Sequence, residues 1–451
     1  MPPDAPAAPR VLAPPALGAP PRPRVPAPER WTLANGLRVV AIPRGGIPQI
    51  AIRVVIPAGS VADPAEYPGT AGMVGALLTE GTAGYDAEAL NARIDALGAA
   101  VHVHAGHDFA EVEMTLLSGT LEEGLPLLAE LVTRPTFPED ETERVRAETL
   151  DALAARTDEP ANVADDRCLL EVFGEGHPYG RPPFGTEEGV AGVPREALAA
   201  FHAERYRPGG SFLVAAGDFD PAALRALLEG ALAGWTGEAT PPLYPPAPPV
   251  PARAGERVRI PWEDSAQGEI RVAGVGMTRS SPDWIPAAVA NYILGGSTIL
   301  GRLGANLREE KGWTYGVRSA FSAGIAPGGW VTETAVGAEV AEDAVREIHA
   351  EMRRMTEEPV DDDELRRARD ALVLSLLRAF ETPPRVASRF STLEAYGLPH
   401  DYWERFPERV EAVTPGEILR VAREHFDPER VVTVTVGGEE GAERAARETN
   451  G

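Results

Sequence analysis

VAGVPREALAAFHAERYRPGGSFLVAAG, residues 190–217, lies without a gap over VEAVTPGEILRVAREHFDPERVVTVTVG, residues 410–437, at an offset of 220. Val190/Val410, Val193/Val413, Glu204/Glu424, Pro208/Pro428, Val214/Val434 and Gly217/Gly437 are identical, and Tyr206/Phe426 and Leu198/Ile418 are similar. Each copy reads as an amphipathic helix, a proline-containing turn and an alternating strand. Between the copies stands TPPLYPPAPPVPA, Thr240–Ala252, whose proline density favours extended, semi-rigid backbone. The expected organisation is therefore an internal duplication. It comprises a proline-rich arm (1–29), a first half (30–237), a linker (238–256), a second half (257–440) and a tail (441–451).

The 451 residues carry 43 Lys and Arg against 68 Asp and Glu, a formal charge of −25, with 43% hydrophobic residues. That length suits two or three domains, each with its own core. The acidic balance argues against a nucleic-acid partner, which clustered cations would have to hold. No apolar run reaches the roughly 18–20 residues of a spanning helix. Residues 1–30 contain eleven prolines, which break the apolar core that a signal peptide needs. The single cysteine, Cys168, forms no internal disulfide and is expected as a small buried residue. A soluble, cytoplasmic protein without a membrane partner is expected.

Strand-like runs at Leu37–Ile42, Ile50–Ile56, Val101–Val112 and Val431–Val436 mix with helical periods at Asp86–Leu97, Leu121–Val132, Glu141–Arg156, Ala341–Thr356 and Asp362–Phe380. Asp86 is placed to cap its helix and Gly98 to end it. Runs mixed in this way predict an α+β fold, with helices packed on a mainly antiparallel sheet.

Thr32-Leu33-Ala34-Asn35-Gly36-Leu37, Ala58-Gly59-Ser60, and Gly69-Thr70-Ala71 with Glu80-Gly81-Thr82 resemble the opening of the pitrilysin/insulinase family of zinc metallopeptidases. That family includes mitochondrial processing peptidase and bacterial two-subunit relatives. Active members carry H-x-x-E-H within G-x-A-H-x-x-E-H…G-T. There two imidazoles on one helix face bind zinc and the carboxylate acts as base. Here the run is GTAGMVGALLTEGT: Gly72 and Ala76 stand at the histidine positions and Gly75 at the glutamate. A later zinc-binding glutamate of the family lies in a run like R-x-x-x-L-x-E-I. Arg146–Leu153 fits it, with Ala152 at the ligand position. None of these four side chains can bind a metal or move a proton, so the resemblance implies a chain with no zinc of its own.

Leu294-Gly295-Gly296, Arg302-Leu303 and Leu307-Arg308-Glu309-Glu310-Lys311-Gly312-Trp313-Thr314-Tyr315 are similar to the family's second-domain signature L-G-G…R-L…L-R-E-x-x-G-x-x-Y. In the family that arginine and tyrosine hydrogen-bond the substrate carbonyl across a closed chamber. By resemblance Arg308 and Tyr315 are the expected catalytic pair, with Tyr315 on an alternating strand WTYGVRSAF after a helix ending near Gly312. Taken alone, an arginine in REEK is a solvated side chain and a strand tyrosine is packing. The surrounding signature is what directs the pair to function. Nucleotide binding at Gly295, Gly296, Gly301 and Gly304 is not expected, since neither GxxxxGK[ST] nor an acidic ribose partner accompanies them.

His102 and His104 share one face of a predicted strand, and His107 follows a glycine. Such imidazoles could bind a metal unaided. In the family, however, the matching strand pairs its edge with an extended peptide. Val101–Ala105 is accordingly expected to contact substrate through His102, Val103 and His104.

The resemblance implies two homologous domains of the LuxS/mitochondrial-processing-peptidase-like type, forming half of a clam-shell. It also implies a heterodimer in which a homologous partner brings zinc to hydrolyse peptides while this chain supplies Arg308 and Tyr315. A catalytically inert structural or peptide-binding homologue is the alternative. A self-sufficient metalloenzyme built on His102, His104 and His107 is a third reading.

Overall fold

Alternating β-branched runs take their places in two sheets of the computed structural model, which describes residues 21–238, 251, 253–263 and 265–437. The first sheet contains β1 (Glu29–Thr32), β2 (Arg38–Pro43), β3 (Gln49–Ile56), β4 (Ala100–Ala105), β5 (Ala110–Leu117) and β6 (Phe212–Gly217), in the order β1-β2-β6-β3-β5-β4. The second contains β7 (Arg257–Ile260), β8 (Gln267–Val275), β9 (Val317–Phe321), β10 (Gly329–Gly337) and β11 (Val432–Val436), in the order β7-β11-β8-β10-β9. With β1 set aside the two orders coincide. A parallel pair, β2/β6 or β7/β11, is followed by antiparallel neighbours throughout. A shared strand order is what a duplicated unit requires.

The first half carries α1 (Thr70–Leu77), α2 (Ala87–Ala96), α3 (Leu121–Thr133), α4 (Glu139–Thr157), α5 (Pro160–Phe173), α6 (Glu187–Gly192), α7 (Arg195–Arg205) and α8 (Pro221–Ala231). The second carries α9 (Trp284–Asn291), α10 (Ala341–Glu357), α11 (Asp362–Ala379), α12 (Pro383–Ala395), α13 (Tyr402–Ala412) and α14 (Pro415–His425). Asp86 caps α2 by accepting the Ala89 N–H, and Gly98, at φ +58°, ends that turn. One sequence expectation needs correction. Residues 101–112 are not one strand: Gly106 donates to the Phe109 carbonyl at 2.8 Å and folds the run into the β4–β5 hairpin. Helix α3, expected from its period, runs through Pro126. The proline costs one intrahelical hydrogen bond, set against a face of buried leucines.

The halves exchange helices. Helix α12 of the second half lies across β3 and β6 of the first sheet, and α5 of the first half lies across β8 and β11 of the second. Alternation along each strand then serves two cores. In β2, β3 and β6, residues Val40, Ile42, Ala51, Val55, Phe212, Val214 and Ala216 join the cluster containing Phe390 of α12. Their neighbours Val39, Ala41, Ile50, Ile52, Val54, Leu213 and Ala215 join the core of the first half. Central strands buried on both faces read as unbroken apolar runs, as LVAA at 213–216 does. Cys168 lies on α5 within the apolar layer against β11, where burial pushes its thiol pKa up to about 12.

Polar ties cross the same boundary. Arg30 and Arg38 pair with Glu394 at 3.3 and 3.2 Å. The Arg44 guanidinium donates to the Phe380 carbonyl. Arg271, buried in β8, pairs with Asp165 of α5 at 2.5 Å. Asp108, at the β4–β5 turn, accepts the Tyr179 hydroxyl at 2.6 Å and the Ile325 N–H at 2.9 Å. Of the proline-rich arm, residues 21–28 are described: Arg22 pairs with Glu411 of α13, and Val25 packs on the second-half core. Residues 1–20, most of the expected linker and the whole expected tail lie outside the described residues. Among the described residues no helix is long and apolar enough to cross a membrane.

Candidate functional site

Helix α1 begins on a half-buried carboxylate. Asp63 accepts the N–H groups of Gly69 at 2.7 Å and Ala71 at 2.8 Å, satisfying donors that a helix start leaves free. Burial raises its pKa to about 6, against the opposing pull of those two N–H groups. On the helix so anchored, Gly72, Gly75 and Ala76 stand at i, i+3 and i+4, on one face. Gly75 is buried, and a Cβ there would meet Val103 Cγ1 at 3.4 Å and Ala105 Cβ at 3.7 Å, so α1 packs directly on β4. Gly72 is half-buried and Ala76 exposed, as is Ala152 on α4, which packs against α1.

This face is reached by solvent but holds no donor atom. Arg144 on α4 draws three nearby carboxylates to itself: Glu141 at 2.6 Å, Glu148 at 2.8 Å and Glu80 beyond the end of α1. Among the described residues no group of three or more His, Cys, Asp or Glu side chains could hold a metal ion.

The second-half signature occupies two π-helical turns, Tyr292–Gly296 and Gly304–Glu310, a geometry that recurs at functional sites. Its glycines answer to close packing. A Cβ at Gly295 would sit 2.8 Å from Ser319 Oγ, and one at Gly304 only 2.2 Å from the Thr298 carbonyl oxygen. Arg308, partly exposed, approaches Glu309 at 3.5 Å.

Tyr315 does not lie in a strand as its alternation suggested; β9 begins at Val317, and Tyr315 sits in the bend before it. Thr314 pins that bend. Its hydroxyl donates to the Gly316 carbonyl at 2.9 Å and accepts the Gly316 N–H at 3.0 Å and the Thr334 hydroxyl at 2.9 Å. Tyr315 is left 94% exposed. The chain thus presents a guanidinium and a phenol, both hydrogen-bond donors suited to a developing oxyanion.

Strand β4 is the outermost strand of the first sheet. Val103 turns toward α1, while His102 and His104 are exposed on the other face. They stand across from Glu113 and Glu111 of β5, and Arg53 of β3 pairs with both glutamates. The result is a polar strip beside an open sheet edge, whose unpaired backbone groups can take up another strand. His107 does not join it. Its Nε2 lies 3.0 Å from the Arg181 carbonyl oxygen, its ring packs on Tyr179 with centroids 5.0 Å apart, and burial lowers its pKa. The three imidazoles therefore do not converge. Sequence reading missed the Asp63 cap, whose only signal was an acidic residue six positions before Gly69, and the Asp108 junction, which joins residues more than 200 apart.

Residues 38–187 match the family described as insulinase (peptidase family M16), and residues 192–372 match its "peptidase M16 inactive domain". An uncharacterised zinc protease of Mycobacterium bovis is 26% identical over 400 residues, spanning 88% of this chain and 90% of its own. A probable mitochondrial-processing peptidase subunit beta of Schizosaccharomyces pombe is 24% identical over 279 residues, spanning 60% of this chain and 59% of its own. The crystal structure of a peptidase M16 inactive domain from Pseudomonas fluorescens superposes with a TM-score of 0.85 at 25% identity, covering 92% of this chain and 98% of that one.

Proposed function

The chain belongs to the insulinase (M16) peptidase family, and from that premise we propose that it is the zinc-free subunit of a two-subunit metallopeptidase. The observation that carries this reading is an asymmetry. The α1/α4 pair bears Gly72, Ala76 and Ala152 at the ligand positions, whereas Arg308 and the exposed Tyr315 stand at the matching positions of the second-half signature. This chain's residues do not fit a zinc ion, so the ion and the general base are assigned to a homologous partner. Residues 30–237 and 257–440, joined by the segment 238–256, act as two peptidase-like units lining one side of a shared chamber.

Within that chamber each contribution of this chain follows from its chemistry. The Arg308 guanidinium and the Tyr315 hydroxyl donate hydrogen bonds to the substrate carbonyl oxygen as negative charge gathers there. The edge of β4, with His102, Val103 and His104, aligns an extended peptide by strand addition. An unfolded peptide suits such an edge because its own backbone groups are unpaired.

The test is reconstitution. The chain is purified alone and together with an M16 chain bearing H-x-x-E-H, and cleavage of an unfolded peptide is followed by mass spectrometry. The isolated chain should cleave nothing and the pair should cleave. A pair that cleaves equally well when this chain carries both R308A and Y315F would overturn the proposal and leave the inert homologue.

A further inference from the structure

Away from both of these places, a buried cation lacks a counter-ion. Arg279, in the loop between β8 and α9, is only 5% exposed. Its backbone is fixed by donation to the Gly324 carbonyl at 3.0 Å, and its Nη2 donates to the Tyr402 hydroxyl at 3.2 Å. Its guanidinium carbon lies 4.6 Å from the Trp284 ring centroid and 5.1 Å from that of Tyr402. Nη1 is buried and has no hydrogen-bond partner. No carboxylate among the described residues forms an ion pair with Arg279.

A second guanidinium lies over the adjoining ring, the Tyr402 and Trp403 centroids being 4.9 Å apart. Arg389 of α12 lies over the Trp403 ring at 5.4 Å and likewise forms no ion pair among the described residues. Partial desolvation, then the like charges of Arg279 and Arg385, lower its pKa.

Ring faces do not account for this arrangement. A cation–π contact offsets part of a buried charge, but it supplies no acceptor to an in-plane N–H. Stranding a donor of a charged group costs more than such a contact returns. Two neighbouring cations at the junction of three elements, one of them sealed from solvent, call for a shared negative partner. The chain as a whole, at −25, repels anions, so one that binds must find a local reason to do so.

We propose that the Arg279–Arg389 pair binds a single oxyanion, a carboxylate or phosphate group, between the β8–α9 loop and helices α12 and α13. Oxygen acceptors match the planar guanidinium fork. Nη1 of Arg279 would be satisfied from the inside and Arg389 would close the outer side. This inference is independent of the peptidase reading, since it uses none of the residues of that site.

Titration calorimetry on the full chain tests it, using inorganic phosphate at low millimolar concentration, where general surface exclusion by the salt is negligible. A parallel arm uses a short acetylated peptide with a free C-terminal carboxylate, and the same peptide amidated. One-to-one binding, weakened at least about tenfold in R389Q, supports the site. Binding of phosphate but not of the peptide acid makes a free anion the occupant; binding of the acid and not the amide makes it a peptide carboxyl group. R389Q alters an exposed side chain and should keep the fold, whereas R279M reports through the same titration if it folds. No binding of either probe, or binding undiminished in R389Q, would overturn the proposal.

Discussion

The two halves share a strand order but differ in the side chains they expose. In the first half, the face formed by α1 and α4 carries glycine and alanine where a metal site needs donors. In the second, two π-helical turns and a threonine-pinned bend hold Arg308 and Tyr315 outward. The sheets beneath are built alike, from alternating residues that serve a core on each face. Ligand residues on the exposed face of a helix contribute little to its packing, so they can be replaced without cost to the sheet. Packing residues cannot. Gly75 belongs with the packing residues, since it is buried against Val103 and Ala105.

The comparison breaks if the halves are independent units, and F390A tests that most strongly. Phe390 belongs to the second half but packs in the cluster that covers β2, β3 and β6 of the first. Truncation should cost about 3–5 kcal/mol, with a single denaturant transition in which both halves unfold together. Two separated transitions would show that the exchanged helices do not couple them.

Placing the chemistry in the second half predicts a kinetic effect for R308A or Y315F in the reconstituted pair. We expect kcat to fall by roughly 100-fold or more, about 2.7–4 kcal/mol, with the chain still folded. A change confined to KM would indicate ground-state binding instead.

Acid acts on a histidine in each half, at different places in the duplicated unit. His202 of α7, near the Val132 carbonyl at 2.9 Å, has its pKa lowered by burial to about 4, whereas the duplicated position is Ala422. His349 of α10, against Thr433, is lowered to about 4 as well. Between about 4 and the ordinary value of 6.5 the native state binds fewer protons than the unfolded chain. Stability is then fully present above pH 6.5 and is lost as pH falls toward 4. Each histidine accounts for at most about 3 kcal/mol. H202Q, measured by denaturant midpoints from pH 7 to 4, should flatten that slope by one histidine's share. An unchanged slope would show that His202 has the same pKa in the folded and unfolded states.

Much of this was legible from residue pattern. Asp86 and Gly98 bracketed α2, the β-branched runs marked six of the strands, and the 220-residue offset announced two copies. What escaped was set by distance and packing. Alternation carried the reading straight through 101–112, because nothing local at Gly106 distinguishes a hairpin turn from a pause in a strand. It also placed Tyr315 in β9, since the hydrogen bonds of Thr314 that form the bend depend partly on Thr334. The exchange of α5 and α12 leaves only one trace, strands apolar on both faces, and that does not say which half supplies the cover. The unpaired Arg279 is invisible to any local reading, because its environment is assembled from residues 123 positions away.

The most direct measurement is metal content. The wild-type chain and the variant G72H/A76H/A152E are each purified, dialysed against zinc, and analysed by plasma emission spectrometry. Gly75 is left unchanged because it stands at the position of the base and not of a zinc ligand. No zinc above trace is expected in the wild type and one zinc per chain in the variant, whose two histidines stand at i and i+4 on α1 with the glutamate on α4, a helix packed against it. A full equivalent of tightly bound zinc in the wild-type chain would contradict it.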